Sequence, residues 1–293
     1  MPMTATVTGA PGHIIGINGL ELFYLDTGGD GRPLMLLHGL SSNANAFGGM
    51  IAAGLGSSFR VIAPDQRGRA RSGKPATGYT MSDHAGDVIA LLDALDLDRV
   101  TLAGHSFGGY LGIYLAAMFP DRFERLVVMD AAITGHPRIG MLLKPSLERL
   151  GRTSPSADAY LADIRRAPYM LGVWDDAAEQ YFRAELVENA DGTAQSATSA
   201  SAVAEASMGV ATEPWLHLVQ QVAQPVLVLN ALEPFGPPGT PPLMDDVVTR
   251  ATARAFPNAT YAVVPGNHIT MLFGHGAGAL NEQLCRFATA PAA

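Results

Sequence analysis

The chain has a single cysteine, Cys285, among 293 residues. A disulfide framework is therefore impossible, and a thiolate metal site has no second sulfur to use. The lone thiol suits a reducing compartment. Positive charge is also scarce: Lys and Arg total 19 against 27 Asp and Glu, a formal net charge of −8. That balance argues against a nucleic-acid partner, which needs clustered cations to displace counterions from phosphate. No apolar stretch approaches the ~20 residues that span a bilayer. The strongest runs, such as Pro225 to Leu229, have the length of buried strands. The N-terminus, Met1-Pro2-Met3-Thr4-Ala5-Thr6-Val7, lacks a basic n-region and a continuous apolar h-region, so it does not read as a secretory signal. A cytoplasmic protein is expected, with a loose N-terminal arm of about ten residues. Neither H-E-x-x-H nor a paired-carboxylate helix spacing occurs, so no metal is expected, and nothing calls for a cofactor.

Apolar residues make up 48% of the chain and charged residues 16%, enough to bury a sizeable core. His13 to Ile17 and Leu20 to Leu25 are β-prone and flank Asn18-Gly19, a strong two-residue hairpin signal. Six further apolar runs follow: Pro33 to Leu37, Phe59 to Ala63, Arg99 to Ala103, Leu126 to Met129, Pro225 to Leu229 and Tyr261 to Val264. They lack alternation and read as strands buried on both faces, hence a parallel sheet. Helical stretches lie between them. Thr80-Met81-Ser82-Asp83 resembles a capping box and opens a helix to about Leu95. Phe107 to Phe119, Met244 to Ala255 and Ala277 to Phe287 are three more. Strands alternating with helices predict a doubly wound, mostly parallel α/β sheet, which binds ligands beyond its strand C-termini.

One region breaks the rhythm. From Ile133 to Val222 no parallel-strand signal appears, and helices are predicted near Met141 to Leu150, Ala157 to Met170, Asp175 to Glu188 and Ala202 to Leu218. The expected organisation is a core from residues 1–131 and 223–293 with a helical cap insertion over 132–222. Ala194 to Ala206, rich in Ala and Ser, suggests a weakly packed helix or a moving lid segment.

Gly104-His105-Ser106-Phe107-Gly108 matches G-x-S-x-G between a predicted strand and a predicted helix, the context a nucleophile elbow requires. The serine occupies a sharp, strained turn, and small residues two before and two after it let neighbouring chains approach. At this point the sequence resembles the α/β-hydrolase superfamily along nearly its whole length. The likeness includes Leu37-His38-Gly39-Leu40, then Asp65-Gln66-Arg67-Gly68-Arg69-Ala70-Arg71-Ser72, then the elbow. It implies an α/β-hydrolase fold, with Ser106 as nucleophile and backbone N–H groups of Leu40 and Phe107 as the oxyanion hole. It also implies structural roles for His38, Asp65, Arg67 and Arg71. The base should follow the last strand, which selects His268 over His275; His13, His84, His136 and His217 are expected at the surface or in packing.

Two positions suit the acid. Asp130 follows the strand after the elbow helix, and Glu233 follows the next strand. Most members of the superfamily use the second position. However, Asn230-Ala231-Leu232-Glu233-Pro234-Phe235-Gly236-Pro237 and Val264-Pro265-Gly266-Asn267-His268 resemble the thioesterase domains of polyketide synthases. Those use the earlier strand, which favours Asp130.

A serine at the elbow argues against epoxide hydrolase and haloalkane dehalogenase chemistry, for which this fold uses Asp. The expected reaction is hydrolysis of a carboxylic ester, lactone or thioester with a small-molecule acyl substrate. Perhydrolase, C–C bond hydrolase and ligand-binding receptor readings stay open, although Ile269 stands where C–C hydrolases usually carry Trp. Tyr169, Trp174 and Trp215 are the candidate substrate-binding residues of the insertion.

Overall fold

A computed structural model describes residues 10–134, 139–170 and 172–290. The expected N-terminal arm, residues 1–9, and His136 lie outside the described residues. The strands, in chain order, are β1 Gly12–Ile17, β2 Leu20–Asp26, β3 Arg32–Leu37, β4 Phe59–Pro64, β5 Val100–His105, β6 Phe123–Met129, β7 Thr153–Ser154, β8 Leu186–Glu188, β9 Ala194–Ser196, β10 Val226–Ala231 and β11 Ala259–Val264. Eight of them form one sheet in the order β1-β2-β4-β3-β5-β6-β10-β11. The β1–β2 and β2–β4 pairs are antiparallel and the remaining pairs parallel. This is the α/β-hydrolase fold.

Local chemistry explains the elements. Asn18 and Gly19 take positive φ of 48° and 76°, the left-handed pair that a tight hairpin needs, and Ile17 pairs with Leu20 across it. The Thr80 side chain accepts from the Asp83 N–H while the Asp83 carboxylate accepts from the Thr80 N–H, so both halves of the capping box form and helix Met81–Ala94 follows. The apolar strands divide their side chains between the two faces of the sheet. Leu34 and Leu36 enter one hydrophobic cluster with Phe23, Phe59 and Leu284; Met35 and Leu37 enter another with Leu102, Leu111 and Val128. Each such leucine contributes about 1.5–3 kcal/mol by leaving water. β11 departs from the expectation of burial on both faces. It is the last strand of the sheet, and Val263 is 45% exposed.

The segment between β6 and β10 also departs from expectation, because it is not wholly helical. Leu186–Glu188, expected at the end of a helix, form β8, which pairs with β9 and through it with β7 in a small antiparallel sheet. The expected helix over Ala202 to Leu218 is two helices, Ala200–Thr212 and Trp215–Gln221, divided at Pro214, which lacks the N–H a continuing helix would use. The small residues of the first have a packing reason. Ala202 meets the turn at Gly68, whose added Cβ would lie 2.6 Å from the Ala202 Cβ, and the Ser199 N–H donates to the Gly68 carbonyl at 2.9 Å. Glu205 accepts from the N–H groups of Gly78 and Tyr79. Helix Asp176–Ala184 buries Tyr181 and Phe182 in the same cluster as Phe47, Met50 and Phe273, so the insertion and the sheet share a core.

Candidate active site

The loops after β3 and β4 are built by charge and hydrogen bonds. The buried Asp65 carboxylate receives Nε and Nη2 of Arg71 and the N–H groups of Ala44 and Arg71. Arg67 forms a bidentate pair with Asp87, both bonds 2.6 Å. His38 accepts from the Gln66 N–H through Nε2, and its Nδ1 lies 2.8 Å from the Gly39 carbonyl. Burial pushes its pKa down to about 4, so it is a neutral strut between two loops.

Ser106 sits between β5 and helix Phe107–Met118 with φ 54° and ψ −118°. A serine there carries strain on the order of 1–3 kcal/mol, held by the surrounding structure. Packing requires the flanking glycines: a Cβ on Gly104 would lie 1.9 Å from the Gly108 carbonyl oxygen, and one on Gly108 would lie 2.0 Å from that of Leu37. The helix directs its N-terminal dipole toward the serine.

Sheet order arranges the remaining groups along one edge. Leu40 follows β3, Ser106 follows β5, Asp130 follows β6, Glu233 follows β10 and His268 follows β11. Asp130 therefore lies beside the elbow, and Glu233 lies beside the histidine loop. The carboxylate that meets the imidazole is Asp130: His268 Nδ1 and Asp130 Oδ2 are 2.6 Å apart. Asp130 is fully buried at a positive φ of 50°, and its Oδ1 accepts from the Ala231 N–H at 2.9 Å. Glu233 bonds elsewhere, accepting from the Gly266 N–H at 2.9 Å at the root of the histidine loop. Gly266 has φ 97°, and a Cβ there would lie 2.7 Å from the Met271 N atom.

Two supports escaped sequence reading. His105 Nε2 lies 2.7 Å from the His268 carbonyl oxygen. Burial, then the neighbouring His268, hold the His105 pKa well below its usual value, so this ring donates to that oxygen as a neutral imidazole. It stood at the variable position of the elbow motif, which carries no signal. Asn267 donates to the carbonyls of Tyr169 and Pro234 and accepts from the N–H groups of Ile269 and Thr270. The histidine loop is thereby tied to the insertion.

A cavity of about 990 Å³ opens over Ser106, with His268, Leu40 and Phe107 in its wall. Tyr169 and Trp215 line it, as do Tyr181, Phe182, Phe235 and Leu143. Trp174, the third candidate from the insertion, does not. Its ring stacks on Phe182 at 5.9 Å and 4°, behind the residue that faces the cavity. His217, expected at the surface or in packing, is exposed at the cavity rim, while His84 packs edge-on against Phe107. Arg149 brings one partly buried cation to the wall, paired with Glu185, which also accepts from the Tyr160 hydroxyl. No group of His, Cys, Asp and Glu among the described residues could hold a metal ion. No helix among them is long and apolar enough to cross a membrane.

Comparison with known proteins agrees with this architecture. Residues 32–275 match the profile of the alpha/beta hydrolase fold family. The chain is 29% identical over 242 residues to the 2-(acetamidomethylene)succinate hydrolase of Mesorhizobium japonicum, covering 81% of each chain. It is 38% identical over 122 residues to the non-heme chloroperoxidase of Streptomyces lividans, 41% of this chain and 44% of that one. The matched stretch spans only 30% to 44% of the length of seven such relatives. Among solved structures, E-2-(acetamidomethylene)succinate hydrolase superposes with a TM-score of 0.82 at 23% identity, covering 96% of this chain and 100% of that one. The thioesterase domain from the curacin biosynthetic pathway gives 0.76 at 15% identity over 94% and 99%. At these identities the likeness concerns the fold.

Proposed function

The chain belongs to the α/β-hydrolase family; on that premise we propose that it is a hydrolase that cleaves a carboxylic ester, lactone or thioester through an acyl-enzyme on Ser106. The observation that carries this reading is the elbow serine at a strand end, lining one cavity with an imidazole whose Nδ1 is engaged by a buried carboxylate. With Nδ1 committed to Asp130, Nε2 of His268 is the nitrogen left to take the Ser106 proton. Ser106 Oγ attacks the substrate carbonyl, and the oxygen that gains charge accepts from the N–H groups of Leu40 and Phe107. His268 then returns the proton to the leaving alcohol or thiol. Water, deprotonated by the same imidazole, releases the acyl group.

Residues 132–222 act as the cap of this site, and Tyr169 and Trp215 as its substrate-contacting aromatics. The cavity's apolar lining suits an acyl group of medium length, and Arg149 offers a polar end. A reducing cytoplasm suits the single free thiol. A perhydrolase reading, in which peroxide replaces water at the acyl-enzyme, draws on the likeness to the chloroperoxidase. One panel tests both readings: chromogenic esters of increasing acyl length, lactones, thioesters and 2-(acetamidomethylene)succinate, each with and without peroxide. A phosphonate that reacts with activated serines should label Ser106 alone. Labelling elsewhere, or no turnover on any acyl substrate, overturns the assignment.

A further inference from the structure

Arg69 belongs to neither the cavity wall nor any ion pair among the described residues, yet its side chain is wholly buried. Its neighbours Arg67 and Arg71 each have an aspartate. Arg69 is bonded only to neutral acceptors. Nε donates to the Leu40 carbonyl at 3.0 Å, and Nη1 donates to the Arg67 carbonyl at 2.7 Å. Nη1 also lies 3.3 Å from Nε2 of His84, while Nη2 has no partner. Burial draws the Arg69 pKa down to about 9, which leaves it charged at neutral pH. Burial and the nearby Arg69 hold His84 well below its usual pKa, so its ring is neutral and presents a lone pair.

An arginine buried without a counter-charge is costly, because its lost hydration is not repaid by an ion pair. Its position suggests what that cost supports. The guanidinium holds Leu40 by its carbonyl and lies 5.4 Å over the ring of Phe107, which also meets the His84 ring with centroids 5.1 Å apart at 71°. Leu40 and Phe107 are the residues whose N–H groups form the oxyanion hole in the reading above. They come from separate loops, after β3 and after β5, and one cation touches both. An uncompensated positive charge in a low-dielectric site also lowers the energy of a negative charge developing nearby.

We propose that Arg69 is a positioning residue for the oxyanion hole: its unpaired guanidinium joins the Leu40 and Phe107 loops and lays positive potential behind their amides. This rests on the acyl-enzyme reading, and the experiment separates the two. Arg69→Gln, Arg69→Met and Arg69→Lys are compared with wild type for kcat and KM on a reactive ester. The affinity of an alkylboronic acid, whose Ser106 adduct carries the anionic oxygen, is measured in parallel. All values are normalised to the number of Ser106 sites labelled by the phosphonate at completion, so a partly unfolded preparation does not mimic the effect. Gln and Met should lower kcat and boronate affinity together by about 10–100-fold with KM nearly unchanged, somewhat less than the loss of a donor itself. Lys, which keeps charge without the fork, should lose about 3–10-fold on both. Labelled Gln and Met variants with kcat and boronate affinity within twofold of wild type overturn the proposal. So does a Lys variant no better than Gln. Should neither neutral variant leave labelled sites, Lys decides: a parallel fall in kcat and boronate affinity supports the role, and wild-type boronate affinity overturns it. Failure of wild type to label at Ser106 would instead sink the acyl-enzyme reading.

Discussion

The sheet edge and the insertion above it are held together differently. At the edge, the turn around Ser106 is seated by backbone contacts so close that Gly104 and Gly108 admit no Cβ, Gly108 against the Leu37 carbonyl. In the insertion, the cavity is walled by side chains such as Tyr169, Tyr181 and Trp215, and the ties to the rest of the fold are a shared apolar core and scattered hydrogen bonds such as Ser199 to Gly68 or Asn267 to Tyr169. On the proposed reading, such a site places its chemistry on the rigid side and its selectivity on the adaptable one. Changes below the cavity should therefore alter rate, and changes above it should alter choice of substrate.

The sharpest test of the rigid side is the nucleophile. Ser106→Ala should lower kcat by about 10⁴–10⁶ with the fold intact, the usual cost of losing a triad serine. A variant retaining a tenth of wild-type activity would refute the assignment.

Next in size is the choice between two carboxylates. Asp130→Asn should lower kcat by about 10³–10⁴, because an amide facing His268 Nδ1 favours the wrong tautomer. Glu233→Gln keeps a carbonyl oxygen for the Gly266 N–H, so it should cost about tenfold or less. Steady-state kinetics on one ester decides it. If the Gln variant is crippled and the Asn variant is active, the acid follows β10 instead.

The adaptable side should answer differently. Trp215→Ala should shift relative kcat/KM across acyl lengths by about tenfold, the discrimination one or two methylenes can supply in an apolar pocket. Trp174→Ala should lower activity on every ester by a similar small factor, since the ring supports Phe182 from behind. A length-dependent effect at Trp174 would break the distinction.

The smallest effect separates the two regions through pH. His38 and His105 at the sheet edge, and His84 on the helix packed against Phe107, are buried as neutral rings with lowered pKa values. For each, the unfolded chain takes up a proton near pH 6.5 that the folded protein refuses. Stability is thus fully present above that pH and declines as pH falls, for His38 down to about 4. Each such ring adds up to about 1.4 kcal/mol per pH unit within its window. Denaturant unfolding between pH 7 and 5 should show this slope. His38→Gln, whose amide oxygen still accepts from Gln66, should reduce it by one proton, and an unchanged slope would remove His38 from the account.

Legibility followed the same division. The strands of the sheet and the elbow were readable because burial on both faces leaves uninterrupted apolar runs, each ending in a chemically distinct residue. Three-residue strands such as β8 and β9 were not, since a period of two has no length in which to show. Trp174 and Trp215 look alike in sequence, and only the stacking of Trp174 on Phe182 separates them.

By itself the amino-acid sequence determined what local patterns encode: the strand and helix alternation, the Asn18-Gly19 hairpin, the capping box at Thr80 and the elbow around Ser106. It narrowed the acid to two positions. Which carboxylate meets His268, which ring faces the cavity and that a wholly buried arginine, Arg69, lacks a counter-charge were decided by the tertiary structure. Each depends on the order of strands in the sheet and on contacts between residues up to 138 positions apart, as for His268 and Asp130. No period in the chain records such distances.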